Sequence, residues 1–85
     1  MTDLANLVLS VDGAEARRML SAVMEAGGPR CAWVLASTME DRAQRALTQA
    51  MAERDWRAFD LNDRLDEITT AIDEAFACAQ CSTAT

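Results

Sequence analysis

The stretch that most constrains the fold runs from Asp60 to Ala79, where Leu61, Leu65, Ile68, Ile72, Ala75 and Ala79 follow one another at intervals of 4, 3, 4, 3 and 4. That spacing keeps side chains on one face of an α-helix, and Phe76 widens the stripe. The opposite side carries Asp63, Asp66, Glu67, Asp73 and Glu74. Such a helix needs a partner for each face: a core for the apolar one, and water or another molecule for the acidic one.

At 85 residues the chain reads as a single domain, 1–85, with a core of modest size. Association with itself or with another protein is a natural supplement, so a homodimer stays open. The formal net charge is −6, the eight positive charges are all Arg, and His and Tyr are absent. Lack of His removes the commonest general base and the commonest metal ligand. Residues 1–59 hold eight acids and seven arginines, net −1, whereas residues 60–85 hold six acids and only Arg64, net −5. The C-terminal part should therefore repel nucleic acid and attract basic surfaces. The plain alternative is a solvated helix face that confers solubility.

No basic segment followed by a long apolar run opens the chain, and nothing approaches the roughly 20 apolar residues that span a bilayer. A soluble, cytoplasmic protein without membrane contact is expected. Three cysteines, two near the end, do not make a secreted disulfide framework.

Thr2 and Asp3 can cap a short helix with Leu4, Leu7 and Val8 inward, although Leu7 to Val11 also reads as a strand. Asp12 and Glu15 have capping-box spacing before a helix that turns Ala16, Met19, Leu20, Val23 and Met24 to one side. Gly27, Gly28 and Pro29 end it. From Pro29 to Phe59, one long helix would align Cys31, Leu35, Met39, Ala43, Leu47, Ala50 and Met51. A division near Ser37, with a capping box from Ser37 to Glu40, is the other option. Helix is preferred, because a strand here would have only the Leu7 segment to pair with. A second break is expected between Asp55 and Asp60, with Asp60 or Asn62 capping the last helix and Trp56 and Phe59 plugging the end of the bundle. Residues 82–85 are expected to fray. The fold class expected is all-α, a small bundle of three to four antiparallel helices with alanines allowing close approach.

Catalytic constellations are missing from the pattern. The acids occupy caps and solvent-facing helix positions, and Gly27-Gly28-Pro29 lacks the residues of a phosphate loop. Cys78 and Cys81 form a Cys-x-x-Cys pair, but at a helix C-terminus behind Asp73 and Glu74 their thiols should resist ionisation. A zinc site would need a second chain to complete four ligands, since Cys31 is the one further sulfur. No metal, no cofactor and no enzyme activity are expected. The arginine pairs Arg17 with Arg18 and Arg42 with Arg45 lie near Glu15, Asp41 and Glu53, which should neutralise them, so direct nucleic-acid binding is not expected either.

The acidic stripe has a specific functional reading. With a rise of about 1.5 Å per residue, carboxylates at Asp63, Asp66 or Glu67, and Asp73 or Glu74 recur about 5 to 10 Å apart, comparable to phosphates along a nucleic-acid strand. A protein groove that holds DNA could accept such a surface. In this general character, with Asp63, Asp66, Glu67, Asp73 and Glu74 as the residues concerned, the chain resembles the small acidic anti-CRISPR proteins and other phage-encoded nuclease inhibitors. That resemblance implies a partner, a CRISPR effector complex in the host cytoplasm, and inhibition by steric and electrostatic occlusion without chemistry. Two other readings stand beside it. One is a regulatory or structural helical module that binds a protein through an apolar face, which exposed methionines would favour; the other is a dimeric Cys-x-x-Cys metal or redox module.

Overall fold

The computed structural model of the chain describes residues 3–83, with side chains through Ala77, and contains helices and no strand among them. Helix α1 is Leu4–Leu9, α2 is Gly13–Ala52 and α3 is Arg57–Thr83. The expectation of fraying at 82–85 falls on side chains, and for 84–85 on backbone, outside the described residues.

Each start is set by an aspartate. Asp3 Oδ1 accepts from the N–H of Ala5 at 3.1 Å, and Asp12 Oδ1 accepts from the N–H of Glu15 at 2.8 Å. The Glu15 carboxylate does not reach back to complete a box; it pairs with Arg18. At α3 it is Asp55, not Asp60 or Asn62, that caps: its Oδ1 accepts from the N–H of Arg57 at 3.0 Å. Leu7 to Val11 is not a strand, and Leu7 is 46% exposed while Ala5 and Val8 are buried.

Gly28 divides α2. Its φ of 84° and ψ of 177° lie in a region essentially restricted to glycine, and Pro29 follows at the first helical position, where its missing N–H costs nothing. A straight helix of 40 residues would be about 60 Å long, yet the longest dimension of the molecule is 48 Å. Residues from both limbs of α2, Ala16 and Met19 before the bend and Leu35, Thr38 and Met39 after it, line one cavity of about 110 Å³ floored by Val8 and Ile68. The limb after Pro29 continues to Ala52 with helical backbone at Ser37.

The second break falls at residues 53–56, earlier than expected. Arg54 takes a left-handed conformation, φ 55°, with its N–H on the carbonyl of Met51 at 3.2 Å and the N–H of Asp55 on the carbonyl of Ala50 at 2.8 Å. These are the two hydrogen bonds of a Schellman C-cap, made here by a residue other than glycine.

The core is narrow. Ala16, Leu20, Ala36, Ala43, Ala46, Ala50, Leu61, Ile68, Ile72 and Ala75 are buried, with Leu65 and Phe76 partly buried against them. On the second limb of α2 the buried line is Ala32, Ala36, Ala43, Ala46 and Ala50; of the expected line Ala43 and Ala50 lie on it, Leu35, Met39 and Leu47 flank it partly buried, and Cys31 and Met51 are exposed. Alanine on that line brings helix axes close. Gly13 does the same at the start of α2, where an added Cβ would lie 3.2 Å from Glu67 Cβ. Trp33 meets Phe76 edge-on, with centroids 5.9 Å apart at 79°.

Arg57 ties α1 to the turn before α3. It donates to Asp3 at 2.7 Å, to Asp55 at 2.6 Å and to Asn6 Oδ1 at 3.1 Å. Those bonds first, and backbone N–H donors second, hold the Asp3 and Asp55 carboxyls below their ordinary value of 3.8. A folded value below the unfolded one gives stability that is present above the unfolded value and lost as pH falls through the folded one. Melting temperatures taken from about pH 6 down to about pH 2 should fall more steeply for the parent than for Arg57→Gln, which lacks the clamp. Equal acid slopes would mean that the clamp carries none of the acid sensitivity.

Candidate functional site: the outer face of the last helix

Because Leu61, Ile68, Ile72 and Ala75 are turned into the core, the opposite side of α3 faces outward. The five acidic residues singled out from the sequence divide into two groups there. Asp63, Asp66 and Asp73 are exposed, and none has an ion-pair partner among the described residues. Glu67 and Glu74 lean toward the first limb of α2. Glu74 pairs with Arg17 at 3.0 Å; Glu67 pairs with Arg64 at 3.3 Å and accepts from the N–H of Gly13 at 3.4 Å.

Arg64, the lone cation of residues 60–85, keeps its Nε on Glu67 and directs the rest of its guanidinium toward the end of α1, away from Asp60, Asp63, Asp66 and Asp73. Its side chain is 18% exposed and donates to the carbonyls of Leu9 at 2.9 Å and Val11 at 2.5 Å. These are carbonyls at and just beyond the C-terminus of α1, where a cation also meets the negative end of the helix. The guanidinium is thus spent on the fold, and carboxylates remain outside.

An open groove of about 820 Å³ runs between the first limb of α2 and α3, with Arg17, Arg18, Glu25, Asp66, Glu67 and Glu74 among its lining residues. Four of those six charged residues are paired, Arg17 with Glu74, Arg18 with Glu15 and Glu67 with Arg64, whereas Glu25 and Asp66 have no ion-pair partner among the described residues. The groove sets two arginines against its four carboxylates, whereas on the outer face Asp60, Asp63 and Asp73 have no ion-pair partner among the described residues. Arg45 is paired with Asp41 at 3.0 Å.

Sequence reasoning missed the aromatics. Trp56 is 72% exposed and Phe59 80% exposed, so they do not plug the end of the helices, and Phe59 lies inside α3. Phe59 stands four and seven residues before Asp63 and Asp66, on the acidic side of the helix, a spacing that could have placed it outside. Met51, at the end of α2, is 64% exposed. Asp60 belongs to the same surface and was assigned only a capping role.

Among the described residues no group of three or more Cys, Asp or Glu is placed to hold a metal ion, and no helix is long and apolar enough to cross a membrane. The side chains of Cys78 and Cys81 lie outside the described residues, so the Cys-x-x-Cys reading has no geometry to draw on. Comparison with protein-family models, with characterised proteins and with solved structures finds no match for the chain.

Proposed function

We propose that this chain is a small protein-binding module without chemistry of its own, which sets the acidic outer face of α3 against a basic surface of a nucleic-acid-handling complex and inhibits it by occupying that surface. The inward turn of Arg64 carries this reading, since it leaves Asp60, Asp63, Asp66 and Asp73 as the outward charges of the helix. A surface of one sign attracts an oppositely charged groove at long range and competes there with phosphates. A CRISPR effector in the host cytoplasm is the partner implied by the resemblance to anti-CRISPR proteins.

The frame offered for this role is an antiparallel bundle of three limbs, with α1 laid across it. Contacts between Gly13 and Glu67 and between Arg17 and Glu74 advance together along the first limb and α3, while Trp33 meets Phe76 far from the turn that joins the second limb to α3. That order supports a first limb parallel to α3 and a second limb antiparallel to both.

A second reading draws on a different observation. Met51, Trp56 and Phe59 are exposed within nine residues of sequence, and exposed apolar residues that gather in one region mark protein contacts. A regulatory or structural module binding through this end needs no basic partner.

The experiment that separates them adds the purified protein to reconstituted CRISPR effector complexes and follows DNA binding and cleavage. Both activities should fall together, and reversal of Asp63, Asp66 and Asp73 to Lys should weaken inhibition by about tenfold or more, since like charges brought together cost several kcal/mol. Inhibition that survives the triple reversal, or effectors left fully active by the parent, would contradict the proposal.

A further inference from the structure

Trp56 and Phe59 have little part in the fold, being 72% and 80% exposed. The N–H of Phe59 donates to the carbonyl of Trp56 at 3.2 Å, so the two residues stand one helical turn apart on one side of the start of α3. Asp60 and Asp63 are exposed in the same and the following turn. The nearby arginines of α3 are turned to other work, Arg57 to Asp3 and Asp55 and Arg64 to the carbonyls of Leu9 and Val11.

We infer that Trp56 and Phe59, with Asp60 and Asp63 beside them, form a docking surface for arginine side chains of a basic protein segment. The inference rests on the reading of α3 as an acidic recognition face and adds which cation that face selects. A guanidinium is planar and weakly hydrated, so it stacks on an aromatic ring while its edge donates two hydrogen bonds to a carboxylate. A lysine ammonium is a strongly hydrated point charge and gains less from the rings. Single-stranded nucleic acid could also stack on exposed rings, but its phosphates would meet Asp60 and Asp63, so charge selects the basic protein.

Oligo-arginine and oligo-lysine peptides of equal length serve as probes, titrated into the protein at low salt. The parent should bind the arginine peptide about three- to tenfold more tightly, the size of one or two exposed cation–π contacts. Trp56→Ala with Phe59→Ala should bring the ratio to about one while both peptides still bind with the salt dependence of a charged surface. Both positions are exposed, so circular dichroism should be unchanged. A parent ratio near one, or a ratio that persists in the double variant, overturns the inference and leaves the acidic face standing. If reversal of Asp63, Asp66 and Asp73 to Lys leaves oligo-lysine binding unchanged, the acidic-face reading itself fails and the arginine surface falls with it.

Discussion

Leu61→Ala is expected to lower the unfolding free energy by about 2–5 kcal/mol, enough to bring a small domain to the edge of stability. Among the described residues Leu61 and Leu20 are the two largest side chains that are fully buried. Nine of the fourteen buried apolar residues among those described are alanines, whose single methyl groups cannot swing into a cavity left at position 61. The expected cost therefore lies toward the upper part of that range, because the cavity term is added to the lost transfer energy. Leu61→Met, which conserves volume, should cost less than about 1.5 kcal/mol. Urea unfolding of both variants checks this, and a midpoint for Leu61→Ala close to that of the parent would mean that α3 is not seated on the alanine line of α2.

Gly28→Ala is expected to cost about 1–3 kcal/mol, through the backbone and not through lost contacts. Space is not the obstacle, since a Cβ at Gly28 would meet nothing within 4 Å. The obstacle is the φ of 84°, which puts Cβ too close to the backbone of its own residue. The substituted chain cannot relieve the strain by running helix straight through, because Pro29 lacks an N–H and its ring would strike the carbonyl of Glu25. The variant should stay helical and keep the size of the parent, with a lower denaturation midpoint. A Gly28→Ala protein as stable as the parent would show that the bend does not need the left-handed glycine conformation.

The parts of this fold that were legible in the sequence are those written in apolar periodicity and in turn residues with a backbone preference. The stripe from Leu61 to Ala75 and the Gly27-Gly28-Pro29 break are of this kind. The second break was misplaced because Arg54 holds the left-handed position that glycine usually marks, and arginine sends no such signal. Of the line expected on the second limb of α2, Ala43 and Ala50 are buried and Leu35, Met39 and Leu47 are partly buried against the core, but Ala32, Ala36 and Ala46 escaped notice because they are alanine. Longer residues such as Cys31 and Met51 weigh more in a hydrophobic pattern, yet close helix approach selects the smallest side chain. For the candidate site, the sequence placed carboxylates on the free side of α3, but pairing of Glu67 and Glu74 depends on which arginines approach from α2 and α3. Nor could it foresee that Arg64 would turn to the end of α1, a contact across more than fifty residues. Trp56 and Phe59 were sent inward on the general habit of aromatics, although the position of Phe59 four residues before Asp63 pointed outward.

Residue-resolved NMR tests most directly the proposal that recognition runs through the outer face of α3. An oligo-arginine peptide titrated into isotopically labelled protein at low salt should shift the amides around Asp60, Asp63, Asp66 and Asp73 first and furthest, with the shifts suppressed by salt on the scale of the Debye length. Amides around Glu25, Glu40, Asp41 and Glu53, which are also exposed but stand near arginines of α2, should move little. Shifts spread evenly over both groups of carboxylates, or centred on α2, would contradict it.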